Sequence, residues 1–146
     1  MKGKVKAINI SKEKGVVKQP IGEGEFIENH GLKDDAHAGN WHRQVSLLAQ
    51  ESVDIMTAKG AKDLCVGIFA ENITTEGIEL YTLPVGTKLK IGETMQEVTQ
   101  IGKKCHQGCE IYHKVGSCIM PTQGIFTKVL KGGIVKDGDE IEVLDE

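Results

Sequence analysis

From Gly3 to Ile10 the chain alternates, with Val5, Ala7 and Asn9 on one side and Lys4, Lys6, Ile8 and Ile10 on the other. That period of two predicts a first strand. Val16-Val17 predicts a short second strand ended by Pro20. Glu23 to Asn40 is polar and glycine-rich without helical or strand period, and reads as a long loop, a feature that in a compact domain is usually functional or disordered. Gln44 to Ala49 is apolar enough for a buried strand, and Ser52 to Lys59 predicts the one firm helix, with Val53, Ile55 and Met56 inward and Gly60 as its stop. Cys65 to Ala70 reads as another apolar strand, running into Glu71-Asn72-Ile73-Thr74-Thr75. Further strands are expected at Thr87–Ile91, Glu97–Ile101, Ile125–Leu130 and Glu140–Leu144, separated by Gly86, Gly92, Gly132-Gly133 and Asp137-Gly138-Asp139. Many short strands and a single helix point to an antiparallel barrel or sandwich.

Composition supports this. The chain holds 15 Ile and 12 Val against 9 Leu and 7 Ala, and β-branched side chains suit a pleated surface better than a helix. At 146 residues, with no linker or repeat, one domain over 1–146 is expected. A net charge of −3 argues against nonspecific nucleic-acid binding, although residues 1–18 hold six lysines and one acid while 137–146 hold six acids and no base. No stretch is long and apolar enough for a membrane span or a signal core, so a soluble, cytoplasmic protein is expected. In that setting the four cysteines read as thiols, metal ligands or catalysts rather than structural disulfides.

Three of those cysteines cluster in Cys105-His106-Gln107-Gly108-Cys109, followed by His113 and Cys118. The surroundings (Lys103, Lys104, Gln107, Glu110, Lys114) are polar, which places the thiols near solvent, and Lys104 and His106 would lower a cysteine pKa. Cys65, inside Leu-Cys-Val-Gly-Ile-Phe, reads as an ordinary core residue. Two further readings of the trio stay open: a zinc site using Cys105, Cys109, Cys118 and a histidine such as His113, or a Cys105–Cys109 redox pair. A second constellation, Gly31 to Gly39, brings Asp34, Asp35 and His37 among small residues that permit close ligand approach, with His42-Arg43-Gln44 after it. A third, Glu71 to Thr75, puts Asn72, Thr74 and Thr75 after an apolar strand, where side chains can converge on a barrel mouth.

In this order the segments resemble the MOSC domain, the module also found at the C-terminus of molybdenum cofactor sulfurases, in its short stand-alone form. The resemblance runs through Gly31–Gly39, Arg43-Gln44-Val45-Ser46, Glu71-Asn72-Ile73-Thr74-Thr75-x-Gly77-Ile78, Leu83-Pro84-x-Gly86-Thr87-x-Leu89-x-Ile91-Gly92, Cys109, Gly124-Ile125-Phe126 and Gly138-Asp139. It implies a mainly β fold, a closed or partly closed antiparallel β-barrel with one or two short helices. It also implies a single reactive cysteine, placed at Cys109 with Cys105 as runner-up, that accepts sulfur as a persulfide from a pyridoxal-phosphate desulfurase and passes it on, typically toward molybdenum cofactor. Pyridoxal phosphate would sit only on the partner desulfurase. Partners would be that enzyme or molybdenum cofactor enzymes, with no nucleic acid or membrane. An alternative is a non-catalytic module for molybdopterin or a similar anion, with Asp35, His37, Gly39, Arg43, Asn72, Thr74, Thr75 and Lys104 as the ligand-binding set. Three positions depart from the family pattern: Asp34 stands where glycine is usual, Gly108 where proline is frequent, and Thr122-Gln123 where a basic–acidic pair often occurs. Cys105, His106 and Cys118 are extra to it.

Overall fold

The computed structural model describes residues 2–14, 16–58, 64, 66–102 and 123–144. Strand β1 (Lys2–Ile10) is followed by β2 (Gln19–Pro20), β3 (Glu23–Ile27), β4 (Gly31–Leu32) and β5 (Val45–Ala49). Helix α1 (Gln50–Ala58) leads to β6 (Ile73–Glu76), a 3-10 turn at Leu80–Thr82, then β7 (Lys88–Ile91) and β8 (Thr94–Ile101). β9 (Ile125–Lys131), β10 (Gly133–Lys136) and β11 (Glu140–Leu144) complete the described elements. Pairing runs β11-β7-β8-β9-β5-β6-β1, and β1 meets β11 again, so seven strands close into a barrel. β2 continues from β1, and β10, β3 and β4 form a separate three-stranded sheet.

The mainly β barrel with one substantial helix is the expected fold. Among the described strands the one departure from antiparallel pairing is β5–β6, which run parallel with Leu47 opposite Ile73 and Ala49 opposite Thr75. A parallel pair needs a crossover, and α1 with the chain through residue 72 supplies it. Val5, Ile8, Val45, Leu47, Ile73, Leu89, Ile91, Val98, Ile125, Val129 and Ile141 fill the interior. A second apolar layer, Leu48, Val53, Met56, Ile68, Phe69 and Phe126, covers part of the outer wall.

Several local expectations change. β1 does not keep one phase: its register against β6 shifts between Val5 and Ala7, so Val5 and Ile8 both enter the interior. A bulge of this kind turns the following side chains to the opposite face. In α1, Val53 and Met56 are buried but Ile55 is 39% exposed. Val16-Val17 is not a strand; the short strand is Gln19–Pro20, paired with Asn9–Ile10. The long polar segment contains β3 and β4, whose inward residues are few, chiefly Phe26 and Leu32, too sparse for a period to show. The apolar run ending at Ala70 is not a strand either: Val66–Phe69 is a turn, with Gly67 at φ +82° and Ala70 at φ +63°. Two strands were not expected: β6, whose Ile73–Thr75 was read as following a strand's end, and β10, of which only Gly133 was read, as punctuation. Among the described residues no helix is long and apolar enough to cross a membrane.

Candidate functional site

Asp35 is held from three sides. The Lys18 ammonium donates to its Oδ1 at 2.8 Å, the Ser11 amide to the same oxygen at 3.1 Å and the His37 amide to Oδ2 at 3.0 Å. Lys18 Nζ also donates to Ser11 Oγ at 2.9 Å, and both side chains of the ion pair are fully buried. Burial alone would raise the Asp35 pKa, but the charge and hydrogen bond of Lys18 and the two amides outweigh it, and the carboxyl stands below the usual range. His37 Nδ1 lies 3.8 Å from Asp35 Oδ2, and its ring reaches the surface. Gly31 starts this loop at φ +116°, where a Cβ would meet the Gln44 carbonyl oxygen at 2.6 Å. Asp34 takes φ +68°, the left-handed conformation that a glycine would adopt without strain and aspartate tolerates.

Beyond this loop the Trp41 indole N–H donates to the His37 carbonyl at 2.8 Å. Arg43 stacks on Trp41 with Cζ 4.6 Å from the ring centroid, and lies 5.8 Å from the Phe126 ring. Lys14 Nζ lies 5.0 Å from the same indole. Arg43 Nε is buried without a hydrogen-bond partner, and no carboxylate pairs with the guanidinium among the described residues. Stacked cations of this kind are weakly hydrated and well suited to anions. The neighbouring residue ties this corner to β8: Thr99 Oγ1 donates to the His42 carbonyl, and His42 Nε2 lies 3.0 Å from Gln100 Oε1. One residue beyond β8, the Gly102 amide donates to the Gly124 carbonyl at 2.7 Å. Gly102 and Gly124, on either side of residues 103–122, are therefore hydrogen-bonded neighbours, close in sequence to the Thr99, Gln100 and Phe126 contacts of the Arg43 corner.

A third group lies on the outer face of β1, β5 and β6. Asn72 Oδ1 accepts from the Ser46 amide at 3.0 Å, and Asn72 Nδ2 donates to the Asn9 carbonyl at 3.3 Å. Thr74 Oγ1 donates to Glu71 at 2.7 Å and accepts from Asn9 Nδ2 at 3.0 Å. The fully buried Glu71 also accepts from the amides of Gly67 and Phe69 at 3.0 and 3.1 Å. Burial pushes its carboxyl pKa up despite these donors. Asn72 and Thr74 thus knit three strands and the Val66–Phe69 turn together. Thr75 is opposite Val5 and Ala49, both core residues, and its buried hydroxyl has no partner among the described residues.

The structure therefore puts Asp35 and His37 in contact and links them to Arg43 through Trp41. Gly39 lies between them, its amide donating to the His30 carbonyl at 2.7 Å. Cys65, Cys105, His106, Cys109, His113, Cys118 and Lys104 lie outside the described residues. Among the described residues no group of three or more His, Cys, Asp or Glu is placed to hold a metal ion. Lys18, Ser11 and Trp41 were not expected at the site. Lys18 follows an apolar pair that gives no hint of a buried ammonium, whereas the lone tryptophan beside His42-Arg43 was a readable sign of a stacked cation.

The family model of the MOSC domain matches residues 34–142. The chain belongs to the MOSC domain family. This MOSC domain is similar to the YuaD protein of Bacillus subtilis, with a TM-score of 0.83 at 22% identity over 98% of this chain and 96% of that one. It is also similar to YiiM of Geobacillus stearothermophilus, with a TM-score of 0.77 at 18% identity over 98% of this chain and 75% of that one. For YiiM of Escherichia coli the TM-score is 0.72 at 17% identity, over 100% and 71% of the two chains. At these identities the likeness is one of fold. No curated protein matches significantly. MOSC domains are associated with the molybdenum cofactor, and the Asp35, His37 and Arg43 segments of this one fall inside the matched range.

Proposed function

We propose that this MOSC domain handles sulfur destined for the molybdenum cofactor, with Cys109 as the acceptor and the Arg43 corner holding the anionic part of its ligand. One observation carries the reading: a stacked guanidinium with no carboxylate partner among the described residues stands near Gly102 and Gly124, the hydrogen-bonded residues that flank the cysteine-bearing segment. Lys104 and His106, neighbours in sequence, favour the thiolate form of the cysteine. The thiolate attacks the terminal sulfur of a donor persulfide. A new S–S bond forms on Cys109, the donor's S–S bond breaks, and the donor leaves as its thiolate. The transferred sulfur keeps its oxidation state, so no oxidant or reductant is needed. Pyridoxal phosphate belongs to the desulfurase that makes the donor persulfide.

Molybdopterin itself is the second reading, favoured by the same orphaned Arg43 Nε. The donor set fits a phosphate-bearing ligand: Arg43 would hold the anion, with Lys14 adding positive charge nearby. The cofactor, when bound, supplies redox chemistry at molybdenum. The experiment is to incubate the protein with a cysteine desulfurase and cysteine, then locate added sulfur by mass spectrometry. Sulfur is expected on Cys109 and absent from Cys109→Ala. Undiminished transfer to that variant overturns the carrier reading. Molybdopterin binding that survives replacement of Cys105, Cys109 and Cys118 by serine but not Arg43→Leu would establish the second reading in its place.

A further inference from the structure

A groove of about 390 Å3 runs between α1 and the chain that follows β6. Ala49, Ile55, Ile78 and Tyr81 give it an apolar floor and walls, while Glu51 and Glu79 are the only charged residues lining it among the described residues. Ile55 and Tyr81 are 39% and 37% exposed, two of the six large apolar side chains that the described residues leave open to solvent. Each carboxylate has a hydrogen-bond donor: Glu51 accepts from the Gly77 amide at 2.8 Å and Glu79 from the Tyr81 hydroxyl at 3.2 Å. The groove's remaining edge is Gln123, whose side chain bonds Ser52 Oγ at 2.5 Å. Gln123 is the first described residue after 103–122, and the other root, Gly102, is bonded to Gly124. An apolar trough whose charged lining residues, among the described residues, are both acidic thus opens beside Gln123, the first described residue after 103–122.

We propose that this groove docks the sulfur-delivering protein, through a surface element with an apolar side chain flanked by lysine or arginine. The assignment rests on the carrier reading above. An apolar side chain between Ile55 and Tyr81 supplies the anchor, and the carboxylates select a basic partner over an acidic one. Docking here brings the donor persulfide to the root of the segment it must load, rather than to the far side of the barrel.

The test measures loading of the full chain by two donors, a purified pyridoxal-phosphate-dependent cysteine desulfurase with cysteine, and glutathione persulfide, which needs no docking. Glu79→Lys and Ile55→Asp probe the two sides of the groove, and Glu28→Lys, on the exposed turn after β3, is the control. Enzyme-driven kcat/KM is expected to fall about tenfold in each groove variant and to stay at the wild-type value in the control. Loading by glutathione persulfide is expected to be the same in all four proteins. Binding of the desulfurase, measured directly by biolayer interferometry, keeps this proposal separate from the carrier reading. Binding weakened by Glu79→Lys and Ile55→Asp, with no sulfur on Cys109 from either donor, overturns the carrier chemistry and leaves the docking surface standing. Absent binding, or binding and enzyme-driven loading indifferent to both variants, overturns the groove. Self-association abolished by Ile55→Asp would assign the surface to a second copy of the chain and overturn it equally.

Discussion

Replacing Lys18 by methionine keeps much of the side chain's reach but removes its charge, leaving the Asp35 carboxylate buried with the Ser11 and His37 amides as its donors. Breaking a buried pair from one side costs about 3–5 kcal/mol, so Lys18→Met should lose stability on that scale in urea denaturation, and adding Asp35→Asn should return part of the loss. The pair also sets an acid-side signature. The folded Asp35 pKa lies below its unfolded value, so its contribution is present above about pH 4 and is lost as pH falls through the folded value. Lys18→Met should lose that dependence; a stability–pH curve parallel to wild type would refute the assignment. Asp35 and His37 were legible because small residues crowd them in sequence. Lys18 was not, since its partner is 17 positions away and nothing local distinguishes it from a solvated lysine.

Among the elements, the Val66–Phe69 turn is the one most easily mistaken. Its apolar run looks like a strand because a buried turn and a buried strand present the same composition, and period alone does not separate them. The difference lies in the backbone amides: those of Gly67 and Phe69 go to Glu71 instead of to a neighbouring strand. The turn also presses on the loop that carries the Lys18–Asp35 pair, with the Lys18 amide donating to the Gly67 carbonyl at 2.9 Å. A Cβ on Gly67 would meet the Lys18 carbonyl oxygen at 2.2 Å, and φ is already +82°. Gly67→Ala should therefore destabilise by more than about 1 kcal/mol and shift the His37 ring resonances while leaving those of His30 in place. Wild-type stability in that variant would show that the turn is free to move. The Glu71–Thr75 stretch shows the limits of sequence in another way. Asn72 and Thr74 were readable as polar residues at a strand end, but whether they faced a ligand or one another depended on β1 and β5, which are far away in sequence.

At the scale of the molecule, the seven-stranded ring is strong along one arc and thin at another. β8 and β9 are matched at six registered positions, whereas β1 and β11 meet at three, Lys2–Glu142, Gly3–Ile141 and Lys4–Glu140, as do β5 and β9 and β5 and β6. Local opening follows the density of such contacts, so amide hydrogen exchange should be faster at the β1–β11 seam than along β8–β9. Equal protection around the ring would contradict this. The barrel itself was foreseeable from branched residues and closely spaced turns, because those properties are local. The parallel β5–β6 pair was not, since strand direction depends on the route of the crossover.

The seam has a consequence for biosynthesis. A chain made from its N-terminus exposes β1 early, and the strand that completes its ring, β11, emerges only after residue 140 has been added. For most of translation one flank of β1 is an unpaired template of amides and carbonyls, open to other nascent strands. Lys2, Lys4 and Lys6, which face outward along that strand, give it a positive charge that repels another copy of itself until β11 arrives with Glu140 and Glu142.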